Sequence, residues 1–374
     1  MERLRALELY SGIGGMHQAL QASGVPAEVV VAVDVNTVAN EVYKHNFPTT
    51  LLWSKTIEGI SLNEFDRLSC DMILMSPPCQ PFTRIGRQGD TSDPRTRSFL
   101  YILDILPRDE LIQTLGKCGF TYQEFLLSPT CLGIPNSRLR YFLIARPQSE
   151  PFAFQALDKI LTVFPSLEPV TSEISRDATG LEEGSSQVST KGAASSSKDN
   201  RQQYRRKENF LFKLETAEEL ERKQERDKDV SVQMLKDFLQ EDGEGLCQYF
   251  LPPKSLLRYA FLLDIVTPTC RRSTCFTKGY GHYVEGTGSV LQTAEDIQLE
   301  SVFKSFEALS EEEKLMKLSA LKLRYFTPRE IANLHGFPPQ FDFPGKVTMK
   351  QCYRLLGNSL NVHVVAKLIS ILVG

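Results

Sequence analysis

Three short apolar segments in the first 80 residues end in residues that are unusual for simple turns. Residues 5–10 run into a glycine-rich turn, residues 28–33 end at an aspartate, and residues 71–75 stop at Ser-Pro-Pro. Helix-forming stretches separate them, and this alternation predicts βαβ units with a parallel sheet. Ligands of such sheets bind beside the carboxyl ends of the strands. The sequence therefore predicts an α/β, doubly wound fold with a ligand site at that edge.

Composition narrows the class of protein. The 43 Lys and Arg against 46 Asp and Glu give a net charge of -3, which excludes a histone-like polycation. The eight cysteines form no close-set pairs, which is typical of reduced thiols and predicts a cytoplasmic location, with the nucleus as a further compartment. We expect no metal site, because no His or Cys partners stand at zinc spacing. We also expect no membrane span and no signal peptide.

Changes in sequence texture suggest five regions. Residues 1–165 are expected to form the first part of the α/β domain, and residues 166–210 a disordered insertion in which serine dominates positions 185–197. Residues 211–244 include a charge-rich helix, expected at 217–239, whose charges are expected to face solvent. Residues 245–325 form a smaller region rich in turns, and residues 326–374 return to the first domain.

The first ligand-binding candidate is the glycine turn Ser11-Gly-Ile-Gly-Gly15, with Asp34 one strand later. Glycines let a backbone approach a ligand closely, and an acid at this place accepts hydrogen bonds from ribose hydroxyls. A tight structural turn and a simple cap are the alternatives. Together the two features indicate a cofactor that contains a nucleoside.

The second candidate is Cys79 within Ser76-Pro-Pro-Cys-Gln-Pro-Phe82. Prolines on both sides fix the backbone around one cysteine at a strand end. A buried structural cysteine is the usual alternative. The rigid loop and its place at the ligand edge favour a nucleophile.

Three later motifs complete a resemblance. They are Ile134-Pro-Asn-Ser-Arg-Leu-Arg140, the stretch from Arg324 to Phe337, and Leu356-Gly-Asn-Ser-Leu-Asn361. With the glycine and cysteine loops, they resemble the DNA (cytosine-5)-methyltransferases, in family order and over most of the chain. Asn136 stands where that family more often has glutamine. The resemblance implies a Rossmann-like S-adenosylmethionine-dependent methyltransferase sheet with a small target-recognition domain at residues 245–325.

The recognition segment Cys275-Phe-Thr-Lys-Gly-Tyr-Gly281 and the nucleophile loop resemble the branch that methylates cytosine 38 of tRNA-aspartate. The resemblance implies S-adenosylmethionine as methyl donor, S-adenosylhomocysteine as product, and tRNA as substrate, with DNA as a weaker one. The residues implied for the cofactor are Ile13, Gly14, Gly15, Asp34, Val35, Ile57, Glu58, Ser76 and Ser359. Those predicted to contact RNA are Arg84, Arg95, Arg271, Arg272, Cys275 and Lys278.

The implied chemistry assigns three catalytic residues. The thiolate of Cys79 would add to carbon 6 of cytosine, so that carbon 5 takes the methyl group and then loses its proton. Arg138 and Arg140 would hold the base and its developing charge as guanidinium donors. An ion-pair role on a strand is the alternative for the two arginines.

One family feature is missing. A strand that ends in Glu-Asn-Val, whose glutamate assists thiolate addition, should lie between Cys79 and Arg138, but Arg108 is followed directly by Asp109. A strand and its loop imply that roughly 20 residues are absent, through splicing or an incorrect gene prediction. Glu110 lies at a helix start and is not assigned the role.

Two alternatives to the tRNA methyltransferase remain. One is a catalytically impaired isoform that binds RNA or cofactor, and the other is a DNA methyltransferase. We expect the protein to be a monomer. A nicotinamide-dependent oxidoreductase would not need the cysteine loop or the late Gly-Asn-Ser.

Overall fold

A computed structural model describes residues 3–77, 108–165, 217–241, 243–283, 286–304 and 306–374. Cys79, Arg84, Arg95 and the serine-rich positions 185–197 lie outside these ranges. The strands are β1 (Leu4–Leu9), β2 (Ala27–Val33), β3 (Leu51–Trp53), β4 (Met72–Met75), β5 (Phe120–Leu127), β6 (Arg140–Pro147), β7 (Ile265–Val266), β8 (Val290–Gln292) and β9 (Leu323–Arg324).

The described helices, numbered in chain order, alternate with the strands in the first third of the chain. They are α1 (Gly15–Ala22), α2 (Thr37–Asn46), α3 (Leu62–Leu68), α4 (Arg108–Lys117), α5 (Ala217–Lys228), α6 (Pro253–Tyr259), α7 (Leu299–Phe303), α8 (Glu311–Ala320), α9 (Pro328–Leu334), α10 (Met349–Asn358) and α11 (Val362–Val373). The predicted βαβ units are confirmed by this order.

The first sheet is parallel, with strand order β3-β2-β1-β4. Residues of β1 and β2 alternate between two apolar clusters, because successive side chains of a strand point to opposite faces. Leu7 and Val31 pack with Ile60 on one side, whereas Ala6 and Ala32 pack with helices on the other. A parallel sheet covered on both faces explains why these strands read as continuous apolar runs.

The predicted α/β fold is confirmed, but its described strands are divided between separate sheets. β5 and β6 pair with each other as an antiparallel ladder, to which an isolated parallel bridge adds Leu161 beside Phe125, and β4 is the last strand of the first sheet. On β4, Ile73 and Met75 are 55% and 50% exposed. No strand connects β4 with β5 or β6 among the described residues, as expected if the strand predicted between Cys79 and Arg138 is absent.

Helix α11 holds the two sheets together. One set of its side chains, including Val365 and Ile369, packs in the cluster with α1 and the first sheet. Another set, including Leu368 and Ile371, packs against β5 and β6. The Ser370 hydroxyl also donates to the Ser23 carbonyl at the end of α1 (3.1 Å). The last helix thus fixes the position of the β5–β6 ladder relative to the cofactor edge, by which we mean the carboxyl ends of the strands of the first sheet, where the cofactor is predicted to bind.

Residues 349–373 are, within the described ranges, one stretch long and apolar enough to cross a membrane by length and composition. The stretch is two helices, α10 and α11, separated at residues 359–361. Half of its apolar window is buried inside the protein. This is the packing of core helices.

The smaller region contains the third sheet, β7-β8-β9, and a cluster of its own from Leu251 to Leu323. It is not isolated from the first domain. Phe276 and Tyr280 belong to the main cluster. Arg324 and Glu330, 2% and 0% exposed, form a buried ion pair (2.7 Å) that joins β9 to α9. The border near residue 325 is therefore held by a charged pair as well as by apolar packing.

Helix α5 corrects one expectation. It ends at Lys228 rather than near residue 239, and its charges do not simply face solvent. Lys223 forms an ion pair with the half-buried Asp264 (2.6 Å), and Asp227 pairs with Arg272 (3.1 Å). Because these partners lie more than 40 residues away in sequence, the charge run alone gave no sign of them.

Candidate active site

The glycine turn predicted to bind the cofactor connects β1 to α1. Gly12 and Gly14 have φ values of +52° and +87°, in the left-handed region that favours glycine. A Cβ atom on Gly14 would lie 2.2 Å from the Phe47 ring. The turn can thus be built only without side chains at this point, and it brings the backbone to the carboxyl edge of the sheet.

Asp34, at the end of β2, holds this turn. Its Oδ2 accepts a hydrogen bond from the Gly12 amide (2.8 Å), and its Oδ1 accepts one from the Asn36 amide (2.7 Å). Val35 beside it is 59% exposed. A carboxylate next to an open apolar side chain suits a ribose with an attached adenine, so this pair fits the predicted cofactor.

The other residues predicted for the cofactor follow the same edge. The Ser76 hydroxyl, after β4, donates to the Tyr10 carbonyl (3.0 Å). Ile57 and Glu58 follow β3, the first half-buried and the second exposed. Ser359 approaches from the C-terminal side, since its Oγ would lie 3.1 Å from a Cβ on Gly15. Ile13 is buried in the main cluster, so only its backbone could face a ligand.

A buried polar cluster beneath the glycine turn was missed by sequence reasoning. The Glu8 carboxyl group is 0% exposed, and its oxygens accept hydrogen bonds from the Tyr43 hydroxyl (2.7 Å) and the His17 amide (3.2 Å). His17 Nδ1 contacts the same hydroxyl (2.8 Å). Burial raises the pKa of Glu8 to about 8 and lowers the pKa of His17 to about 4. The only sequence signal was an acid within the apolar run of β1.

Arg138 is buried at 3% exposure and bonded to protein groups. Its Nη1 donates to the Phe276 carbonyl (3.0 Å), and its Nη2 donates to the Gly357 carbonyl (3.1 Å) and the Ser359 carbonyl. The predicted contact of Arg138 with a base stays a prediction. In the arrangement observed, this guanidinium connects three segments of the chain.

Arg140 and Cys275 lie beside Arg138 and are more exposed to solvent than it is. Both are half-buried, and Arg138 Nη1 and Arg140 Nη2 each lie 3.5 Å from the Cys275 Sγ. Burial would raise the pKa of the Cys275 thiol, but the two guanidiniums outweigh it and lower that pKa. Asn136 fixes the neighbouring loop by donating to Ser273 Oγ (3.0 Å).

The basic residues predicted to bind RNA differ in availability. Arg272 is 13% exposed and pairs with Asp227 and Asp264, both at 3.1 Å. Arg271 donates to the Val232 carbonyl. Lys278 is exposed. The roles of all three stay predictions, and the ion pairs of Arg272 leave it least suited to a phosphate contact.

The catalytic groups predicted elsewhere are only partly covered by the structure. Cys79, Arg84 and Arg95 lie outside the described residues. The Arg108–Asp109 junction, where the resemblance implies a further strand, lies in the first turn of α4. The described residues contain no group of three His, Cys, Asp or Glu side chains that could hold a metal ion.

Comparison with known proteins identifies the family. The C-5 cytosine-specific DNA methylase family matches residues 4–110 and 107–373. The human "tRNA (cytosine(38)-C(5))-methyltransferase" is 64% identical, with 100% of each chain covered. A Dictyostelium discoideum "DNA (cytosine-5)-methyltransferase" is 37% identical, over 100% of this chain and 95% of the relative. The crystal structure of a Spodoptera frugiperda DNMT2 mutant has a TM-score of 0.70 and 35% identity, covering 99% of this chain and all of the other.

The comparison also bears on the absent strand. The human alignment extends over 395 positions, 21 more than the 374 residues of this chain, so relatives have residues that this chain lacks. The family match divides into two parts that overlap at residues 107–110, at the Arg108–Asp109 junction where the strand is predicted to be missing. Both observations agree with the predicted gap. The motifs, the parallel sheet with its cofactor edge, and a match over nearly the whole chain lead to one conclusion: the chain belongs to the C-5 cytosine-specific DNA methylase family.

Proposed function

We propose that this chain is a tRNA methyltransferase that methylates carbon 5 of cytosine 38, with S-adenosylmethionine as methyl donor and tRNA-aspartate as substrate. The observation that carries the proposal is the 64% identity to the human tRNA enzyme over both full chains. Supporting it, the recognition segment around Cys275 lies against Arg138 and Arg140, and Arg138 also donates to the carbonyl of Ser359, a residue predicted to bind the cofactor.

In this proposal, each described residue has one task. S-adenosylmethionine supplies an electrophilic methyl group when it is bound. Asp34 accepts hydrogen bonds from the ribose hydroxyls, and Val35 offers an apolar surface to the adenine. Arg140, the more exposed of the two arginines, donates to the base and stabilises its developing charge. The anticodon loop suits such a site, because its bases are unpaired and can leave the stack.

The nucleophile is proposed from the resemblance alone. Cys79 would attack carbon 6 of cytosine as a thiolate, which makes carbon 5 nucleophilic. After methyl transfer, removal of the carbon-5 proton would break the bond between sulfur and carbon 6 and release the enzyme. Trapping on tRNA that contains 5-fluorocytosine tests this step, because fluorine cannot leave as the proton does. An adduct that persists in Cys79→Ala would exclude Cys79.

The absent strand sets the expected rate. Without its glutamate, the resemblance assigns no residue of this chain to assist at ring nitrogen 3, and such acid–base assistance contributes roughly 100- to 10,000-fold. The separation of the β5–β6 ladder from the first sheet favours the same result, because Arg140 is the first residue of β6 and Arg138 lies two residues before it. We expect this chain to methylate tRNA far more slowly than a version with the strand and its Glu-Asn-Val restored.

Methyl transfer from tritium-labelled S-adenosylmethionine tests the function. Both versions are incubated with tRNA-aspartate, with a tRNA whose cytosine 38 is replaced, and with duplex DNA. The proposal predicts label only in tRNA-aspartate, and mostly with the restored version. Labelling of DNA in preference to tRNA would favour the second candidate, which the Dictyostelium relative represents. Equal rates for the two versions would show that the strand is not needed.

A further inference from the structure

The buried guanidinium of Arg138 joins the two ligand sites of the protein. It donates to the Phe276 carbonyl on the recognition side and to the Gly357 and Ser359 carbonyls on the cofactor side. We call this set of contacts the Arg138 bridge. A charge buried at 3% exposure needs several good acceptors, because leaving it unpaired would cost several kcal/mol. The bridge is therefore rigid, because separating its two sides would leave the buried guanidinium without acceptors.

Direct backbone packing reinforces the bridge. A Cβ atom on Gly357 would lie 2.2 Å from the Lys278 nitrogen and 2.3 Å from the Thr277 carbonyl carbon. Real Cβ atoms do not approach backbone atoms so closely, so the last turn of α10 touches the recognition segment with no space for a side chain. Gly357 is needed here for this close approach rather than for its backbone freedom.

The other end of the same short segment touches the cofactor turn. A Cβ on Gly15 would lie 3.1 Å from both Ser359 Oγ and Leu360 Cγ. Residues 357–360 thus contact the recognition segment at one end and the first residue of α1 at the other. A shift of the glycine turn would be transmitted to residues 276–278 through only four intervening residues.

We infer that Arg138 acts as a positioning residue rather than by touching the base, and that the Arg138 bridge couples the two ligand sites, so that cofactor and RNA each strengthen the binding of the other. Because the bridge is rigid, a change in the position of residues 357–360 on cofactor binding also repositions the wall of the RNA site. The second ligand then meets a site already arranged, and by thermodynamic reciprocity the effect acts in both directions. Only the identity of the second ligand, tRNA, rests on the proposed function.

The first test measures binding without turnover. Fluorescence anisotropy gives the Kd for a tRNA-aspartate transcript with and without saturating S-adenosylhomocysteine. We expect the cofactor product to tighten RNA binding by about 5-fold or more, the usual range for coupled sites. Gly357→Ala and Arg138→Lys should bring this ratio close to one. Gly345→Ala, with open space around its Cβ position, is the matched control and should keep it.

The second measurement needs no RNA. Cys275 is half-buried beside Arg138, so its alkylation by iodoacetamide, followed by peptide mass spectrometry, reports on the recognition segment. S-adenosylhomocysteine should slow this alkylation in the wild-type chain and in Gly345→Ala, but not in Gly357→Ala or Arg138→Lys. Thermal unfolding and calorimetric cofactor affinity show whether each variant is folded. Arg138→Lys covers the case in which Gly357→Ala fails to fold.

The outcomes separate this inference from the proposed function. Absence of tRNA binding with the alkylation effect intact would refute the substrate and keep the coupling. If S-adenosylhomocysteine changed neither the RNA affinity nor the Cys275 alkylation rate of the wild-type chain, the coupling would be refuted. If Gly357→Ala and Arg138→Lys fold and retain the wild-type effects of S-adenosylhomocysteine, the bridge does not transmit the coupling.

Discussion

Replacing Glu8 with glutamine tests whether the carboxyl group buried beneath the glycine turn is neutral in the folded protein. With a pKa of about 8, the folded protein holds a proton on Glu8 that the unfolded chain, with its ordinary value of 4.5, has lost at neutral pH. A pKa raised by folding means that stability from this group is complete below pH 4.5 and is lost as pH rises through 8. Glutamine imitates the neutral acid and removes this dependence.

The size of the effect follows from the same two values. One proton held only by the folded state changes the unfolding free energy by about 1.4 kcal/mol per pH unit. Between pH 6.5 and 8, the wild-type chain should therefore lose about 1.5–2 kcal/mol relative to Glu8→Gln, allowing for the smaller slope near the pKa. His17, whose pKa is lowered to about 4, contributes the opposite slope only below its unfolded value of 6.5.

The assay is urea unfolding at several pH values from 6.5 to 8.5. The difference between the two proteins isolates Glu8, since every other titrating group is common to both. Glu300→Gln, which changes an exposed carboxylate in the first turn of α7, is the control and should leave the wild-type pH profile unchanged. Parallel profiles for the wild-type chain and Glu8→Gln would refute the reasoning, because Glu8 would then be ionised in the folded protein.

Three further predictions concern the cofactor acid, the buried ion pair and the serine-rich region. Asp34→Ala should weaken S-adenosylmethionine binding by about 1.5–3 kcal/mol, since it loses charged acceptors for the ribose and frees the Gly12 amide; unchanged calorimetric affinity would place the ribose elsewhere. Glu330→Gln should lower the unfolding free energy by about 3–5 kcal/mol, because Arg324 is left buried without its counter-charge; a denaturation midpoint equal to wild type would contradict this. Deleting residues 185–197 should leave the melting temperature and cofactor affinity nearly unchanged, and a clear loss of either would show that these residues take part in the fold or the site.

The elements that sequence predicted well are those with strong local signals. The strands β1, β2 and β4 follow from apolar runs that the sequence carries. Local pattern failed for α5, whose predicted length was too great because the turn from Asp229 to Ser231 is held by side-chain hydrogen bonds.

Long-range contacts set the limit for the site. The motifs correctly indicated that residues following β1, β2 and β4 lie at one edge, because a parallel sheet imposes this. They could not show that Arg138 is buried against residues 276 and 357–359, since these lie 138 to 221 positions away. Nor could they show that Arg272 is paired with Asp227 and Asp264, because a surface arginine and a paired one have the same local sequence.

The seating of α11 on α1 has a consequence for synthesis. Ser370 meets Ser23 across 347 residues, and Ala19 and Leu20 of α1 are buried in the cluster that α11 completes. At about 5–20 residues per second, the ribosome needs roughly 20–70 seconds to make that interval. During this time, the apolar side of α1 and the first sheet have no α11 to cover them. Nascent chains of this protein should therefore depend on chaperones until α11 emerges, and any stall after β6 should expose an aggregation-prone surface.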